Sequence, residues 1–167
     1  MFAKHDFSGI KYYTLATIPE SSFLQAVEIA AGARQSFYVT RKASGNVLVS
    51  GFTTSAIVTQ DENLIIYNGP GKSYPFFVSY PGSHWNGALI YTKRQFTLQA
   101  PLCAATSNCW IGDGQMFDVV AKNSNVVITA MKMYIYTGAI AEVWTRVGTY
   151  VGYEYSSVGW TKVAGER

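Results

Sequence analysis

Apolar and polar residues alternate in short runs along most of this chain, with turn-forming residues between the runs. In residues 34–40 (RQSFYVT), Phe37 and Val39 share one face, and Ser36 and Tyr38 the other. Residues 46–52 and 63–67 are short β-branched runs bounded by Gly, Asn and Asp, and residues 87–92 behave alike. In residues 115–122, Phe117, Val119 and Ala121 fall opposite Asp118 and Lys122. Period-two alternation over runs this short predicts half-buried strands. The longest run, residues 125–137, places Val127, Met131, Met133 and Ile135 on one side. Its other side (Val126, Ile128, Lys132, Tyr134, Tyr136) is also rather apolar, which predicts a central strand covered on both faces. Residues 139–147 place Val143 and Val147 inward and Glu142, Trp144 and Arg146 outward.

Turn chemistry supports this reading. Residues 44–46 (SGN), 68–71 (NGPG), 81–83 (PGS) and 112–114 (GDG) punctuate the runs with residues that tolerate positive φ or preset a turn. Only residues 21–31 (SSFLQAVEIAA) resemble a short helix, with Ser22 as a cap and Gln25 three positions on. Val27, Ile29 and the following Gly32 favour an extended segment instead. About ten short strands with turns every 8–12 residues predict an all-β fold, an antiparallel β-sandwich of jelly-roll or Ig-like type.

Composition narrows the function classes. At 167 residues the chain is expected to be a single domain, 1–167, long enough to bury a core without staples. Only 14% of residues are charged, against about a quarter in ordinary domains, so neither disorder nor a solvated helical bundle fits. The net charge of +3 is mild and its Lys and Arg are scattered, whereas a nucleic-acid footprint clusters them, so no nucleic-acid partner is expected. The longest apolar stretch, 126–136, is interrupted by Lys132 and falls far short of the about 20 residues a membrane helix needs. The N-terminal MFAKHDFSG has no apolar core of a signal peptide.

Chemistry-bearing residues are sparse. Cys103 and Cys109, six positions apart in CAATSNC, fit a small disulfide-bridged loop in an oxidising compartment, with a reduced pair as the alternative. No zinc pattern exists, since a second cysteine pair is missing and His5 and His84 are remote in sequence. Asp113 between two glycines supplies too few oxygens for a calcium loop and reads as a turn, so no metal and no cofactor are expected. No catalytic motif emerges, and a carboxylate pair such as Asp61 or Glu62 with Asp113 is one of many that ten acids allow; the chain is expected not to be an enzyme. The loop containing Tyr80, His84, Trp85 and Asn86 offers an aromatic face and hydrogen-bonding groups for a glycan. Its alternative is a Trp85 that closes one end of the core, the commoner fate of Trp. Tyr150, Tyr153, Tyr155 and Trp160 follow glycines and suit a rigid contact surface or a half-buried strand. The Trp144 and Arg146 stripe reads either as a same-face stack or as an interface patch.

Four segments carry a resemblance to a known type of module: MFDVVAKN at 116–123, the EVWTR…GWT pattern at 142–161, IAAGARQSFYVT at 29–40, and ENLIIYNGPGKSYPF at 62–76 with WNGALIY at 85–91. Together they resemble a tandem-repeat β-sandwich domain of diatom and related stramenopile surface or secreted proteins, with its two halves in permuted order. The resemblance makes residues 1–93 the closing half, 94–100 a connector and 101–167 the opening half. It implies chain ends that lie close together, an extracellular or cell-surface location and no assigned activity. Low charge, many tyrosines and doubly apolar strands add an expectation of self-association. The chain therefore reads as a non-enzymatic structural module of a surface layer, fibre or repeat array, with a carbohydrate-binding module such as a viral or phage fibre tip as the alternative.

Overall fold

The structure, a computed structural model, describes residues 13–42, 47–52, 56–81, 83–92, 96–100, 110–136 and 140–165. These form sixteen strands, numbered in chain order, in two antiparallel sheets, with one short 3-10 turn at Glu20–Ser22. The first sheet runs β11 (Phe96–Gln99), β10 (Gly87–Thr92), β14 (Val126–Tyr136), β4 (Val47–Phe52), β12 (Trp110–Gly112). To it are added β1 (Tyr13–Ile18) and β2 (Val27–Ile29) along β14, and β9 (Ser83–His84) beside β4. The second sheet runs β16 (Thr161–Ala164), β15 (Ala141–Val147), β3 (Arg34–Arg41), β13 (Gly114–Ala121), β6 (Leu64–Tyr67), β5 (Ile57–Gln60). A small hairpin of β7 (Gly71–Lys72) and β8 (Ser79–Tyr80) extends it from β13. The all-β antiparallel sandwich expected from the alternation is the fold, built from more and shorter strands than the ten anticipated.

The core lies between the sheets. Phe37, Val39, Phe117, Val119, Leu64 and Ile66 from the second sheet meet Leu89, Tyr91, Met131, Met133 and Ile135 from the first. Phe117 is stacked on Phe37 at 5.7 Å and on Trp85 at 4.4 Å between ring centroids. At the rim, the Tyr91 hydroxyl donates to Asp61 Oδ2 at 2.6 Å, while Asp61 Oδ1 accepts the backbone N–H groups of Asn63 and Leu64 and closes the β5–β6 turn.

The central strand β14 departs from its expected phase. Val126 and Ile128 are buried, and so are Met131, Met133 and Ile135, so the inward parity switches partway along. The cause is a bulge: Ile90 pairs with Ala130 and Tyr91 with Ile128, leaving Thr129 as the extra residue. An extra residue flips the facing of everything beyond it. The apparent double apolarity of this strand is thus two consecutive inward faces rather than one strand covered on both sides.

Three other expectations change. Residues 21–31 are extended in part, with β2 following the 3-10 turn. Within the expected connector 94–100, residues 96–99 form strand β11, with Leu98 and Ala100 buried; a period-two run pairing with β10 is sheet, not a surface link. In β15 the facing is as expected, with Val143 and Val147 on the side of Val39 and Gln35, and Glu142, Trp144 and Arg146 on the other. The burial is not: Glu142 is buried because the outer side of the second sheet is itself covered, and Val147, at the strand end, is exposed. Both chain ends, and the Cys103–Cys109 loop, lie outside the described residues. Early and late parts of the chain do meet where Phe23 bridges to Ala164 and the Leu24 N–H donates to the Val163 carbonyl at 2.6 Å.

Candidate functional site: an aromatic loop over the outer face

Strand register sets two rows of side chains across the outer face of the second sheet. Trp144, Tyr38 and Met116 stand opposite one another in one row, and Arg146, Ser36 and Asp118 in the next. The first row would be an exposed aromatic stripe were it bare. Instead Phe76 and Trp160 close over it, forming a second buried cluster with Tyr38 and Met116, against which Trp144 and Tyr150 pack. Phe76 lies 4.7 Å from Tyr38, 5.5 Å from Trp144 and 5.7 Å from Trp160. It holds φ at 60°, a region bulky L-residues rarely adopt, and its burial among three rings offsets that cost.

The second row anchors the loop at residues 148–160. The buried Asp118 carboxylate accepts from Arg34 NH1 at 2.9 Å, from Thr149 Oγ1 at 2.7 Å and from the Tyr150 backbone N–H at 3.2 Å. Ser36 Oγ sits between Asp118 Oδ1 (2.6 Å) and the Gly148 carbonyl (2.7 Å), with one proton for the two acceptors. Arg146 donates to the Thr149 carbonyl, and its guanidinium lies 3.5 Å from the Tyr153 ring centroid. Farther along, Trp160 Nε1 donates to the Tyr153 carbonyl at 3.1 Å and the Tyr150 hydroxyl to the Asn68 carbonyl at 3.1 Å. Gly148, Gly152 and Gly159 turn the loop at φ of 85°, 86° and 80°, which only glycine adopts without strain. The result is a glycine-hinged loop whose base is fixed by a buried carboxylate and whose rings are fixed by cations.

Beside this loop, the turn at 68–70 and the β7–β8 hairpin enclose a groove of ≈ 320 Å³. Tyr150, Glu154 and Tyr155 line it from the loop, and Asn68, Pro70 and Ser79 from the turn and the hairpin. Behind it is Lys72, fully buried, whose ammonium donates to the Phe77 carbonyl at 3.0 Å and to Ser79 Oγ at 2.6 Å and lies 4.4 Å from the Tyr155 ring centroid. Burial lowers the Lys72 pKa to about 8 from 10.5, although the Glu154 carboxylate pulls the other way. Burial likewise raises the Tyr150 hydroxyl, with the Asp118 charge adding to the effect.

This sets a pH signature. Lys72 binds its proton more weakly in the folded than in the unfolded chain, so unfolding takes up a proton between pH 8 and 10.5 and stability climbs over that window. Tyr38 and Tyr91, raised to about 12 by burial, act oppositely, and their contribution is lost as pH rises from 10 toward 12. Urea midpoints measured from pH 7 to 11 are expected to rise by at most about 3 kcal/mol of stability and peak near pH 10. In Lys72→Met the rise from pH 8 should vanish; a variant that keeps it would show that another group is responsible.

The other sequence candidates are distributed as follows. Trp85 is buried, its ring face taken by Phe117, and a Cβ at Gly87 would collide with the Trp85 ring and the Lys132 carbonyl. Asn86 is buried beside it, while Tyr80 and His84 are partly exposed on β8 and β9. That loop therefore closes the core, and its aromatic face is not open to a sugar. Asp61 and Asp113 sit at opposite ends of β13, roughly 25 Å apart along the strand. Asp113 shapes a turn: its carbonyl accepts from the Arg41 N–H and Thr40 Oγ1, and its carboxylate from the Tyr74 N–H. Among the described residues no three His, Cys, Asp or Glu side chains group to hold a metal, and no helix is long and apolar enough to cross a membrane.

Trp144, Arg146, Tyr150, Tyr153 and Tyr155 are brought together on one face, and only Tyr153 and Tyr155 are largely open to solvent. Lys72, Glu154 and Ser79 were not singled out from sequence. The aromatic density of residues 74–80 against that of 150–160 was the available signal. No protein-family model, curated protein or solved structure matches this chain.

Proposed function

We propose that this chain is a non-enzymatic β-sandwich module that associates with copies of itself in an extracellular or surface layer, fibre or repeat array. The observation that carries this reading is an apolar belt on the loop over the outer face. Val151 is 59% exposed, Tyr155 71% and Val158 76%, all within eight positions on a backbone held by hydrogen bonds. Phe77, 69% exposed, adjoins the belt through Lys72, which bonds its carbonyl and faces Tyr155. A soluble monomer rarely leaves large apolar groups so concentrated, and a rigid patch loses little entropy on docking.

The belt is the better contact than a sheet edge. Strand addition needs a bare edge. Beside β16, at one end of the second sheet, the Val163 carbonyl already accepts from Leu24 and Ala164 is bridged to Phe23. Low charge removes most of the repulsion between copies.

Sedimentation velocity across a concentration series tests the reading. The wild-type chain is expected to form oligomers. The double variant Val151→Ser, Val158→Ser should weaken association at least about tenfold, as loss of two buried valine contacts implies. Both positions are exposed, so circular dichroism should be unchanged. A wild-type chain that stays monomeric at millimolar concentration would sink the proposal.

A further inference from the structure

From the groove between the 68–70 turn, the β7–β8 hairpin and the 150–155 segment, we infer a carbohydrate subsite that takes one pyranose ring of a neutral sugar chain. The argument begins with size. At ≈ 320 Å³ the groove lies at the lower end of the range for small-ligand sites, about 300–1,000 Å³. It is too small for an extended peptide with side chains and open enough for the end, or one unit, of a glycan.

The lining supplies the two things a sugar needs. The first is a fixed aromatic face for its apolar C–H surface. Tyr155 is 71% exposed, and its ring, which lines the groove, lies 4.4 Å from the Lys72 ammonium, a cation–π contact that favours this placement. Tyr150 is pinned from both ends, by its N–H on Asp118 and its hydroxyl on Asn68. Tyrosines placed this way give contact area at small entropic cost.

The second requirement is a set of hydrogen-bonding groups with unused capacity. The Glu154 carboxylate accepts no hydrogen bond from a described residue, and a carboxylate can take two vicinal hydroxyls. Ser79 Oγ already accepts from Lys72, which leaves its own proton to point into the groove as a donor. A carboxylate acceptor and a hydroxyl donor therefore both line the groove, the complement of a ring that carries both donors and acceptors. Charge decides the kind of sugar. The Lys72 cation is turned inward onto Phe77 and Ser79, so the charge facing the opening is that of Glu154, which repels uronic and sialic acids.

This site shares Val151 and Tyr155 with the proposed self-association belt, so a second copy and a sugar compete for that surface. Sugar binding by a single chain nonetheless does not depend on assembly. The two fail separately when sugar binding is measured on dilute monomer and assembly without sugar. Amide NMR spectra titrated with methyl glycosides of glucose, galactose, mannose and N-acetylglucosamine are expected to show saturable shifts confined to residues 68–70, 79–81 and 150–155. Tyr155→Ala and Glu154→Gln should each weaken the best glycoside at least tenfold. Tyr153→Ala, whose ring packs on Arg146 outside the groove, should leave it unchanged. Glu154→Gln keeps the side-chain shape, so its loss cannot be ascribed to refolding. No saturable shift with any of the four glycosides, shifts indifferent to both groove variants, or tighter binding of methyl glucuronide than of its neutral counterpart would each overturn the inference.

Discussion

Asp118→Ala is expected to cost about 3–5 kcal/mol of folding stability, the toll of removing one partner from a buried charge network. Its carboxylate is the meeting point of Arg34, Thr149 and the Tyr150 N–H, with Ser36 at 2.6 Å, and the side chain is only 3% exposed. With Ala there, Ser36, Thr149 and the Tyr150 N–H lose their shared acceptor beneath the 148–160 loop, while Arg34, 40% exposed, turns to water. The effect should be local as well as global. Chymotrypsin is expected to cut at Tyr150, Tyr153 and Tyr155 much faster than in the parent, because the loop loses its base while the sandwich beneath keeps its core. Denaturant midpoints together with cleavage-site mapping check this. A midpoint shift below about 1 kcal/mol with unchanged cleavage would show that the glycine turns and Trp160 suffice to hold the loop.

Trp85→Ala should be comparably costly, about 3–5 kcal/mol, as for other buried aromatics cut to Ala. The ring stacks on Phe117 at 4.4 Å and an interplanar angle of 11°, and Phe117 stacks in turn on Phe37, so the hole opens at the centre of the core. Guanidinium denaturation gives the loss, and near-ultraviolet circular dichroism reports the disturbed aromatic packing. The outcome separates two roles for this residue. A sugar-stacking tryptophan could be truncated with little change in stability, so a small shift with intact packing would return Trp85 to the surface and restore its loop as a ligand site.

These residues also show what the sequence disclosed. Alternation located β3, β6, β10 and β13 to within a residue or two and assigned the inward faces of Phe37, Val39, Phe117, Val119 and Ala121 correctly, because a half-buried strand writes its facing in a period of two. The same rule failed in β14, where the pairing of Ile90 with Ala130 and Tyr91 with Ile128 skips Thr129. A bulge is a property of two strands, and one strand read alone cannot reveal it. At Glu142 and Val147 it gave the facing but not the burial, since period two tells which residues share a face but not what covers that face.

The candidate site was legible only in its tyrosines. Lys72 stands in a Gly-Pro-Gly-Lys-Ser run that reads as a solvated turn, yet the pairing of Gly71 and Lys72 with Gln115 and Gly114 draws it inward, where Tyr155 covers it. Its burial follows from contacts with residues about forty and about eighty positions away, which no local pattern encodes. Asp118, read as the polar side of a strand, is polar for the same nonlocal reason: the loop it anchors arrives thirty residues later.

The three glycines at 148, 152 and 159 face open space, with nothing within 4 Å of where a Cβ would stand. They bend the backbone, with Thr149 and Ser156 hydroxyls bracing the turns, and the loop is moored by atoms outside its tips: Asp118, Arg146, Asn68 and Trp160. At the tip, Tyr155 covers Lys72 and Ser156 Oγ accepts from the Val158 N–H, which leaves the side chains of Val151, Ser157 and Val158 without structural duty. A lineage could rewrite these positions, changing what the surface recognises, while drawing nothing from the stability of the sandwich below. The same separation makes positions 151, 157 and 158 natural places to vary the surface.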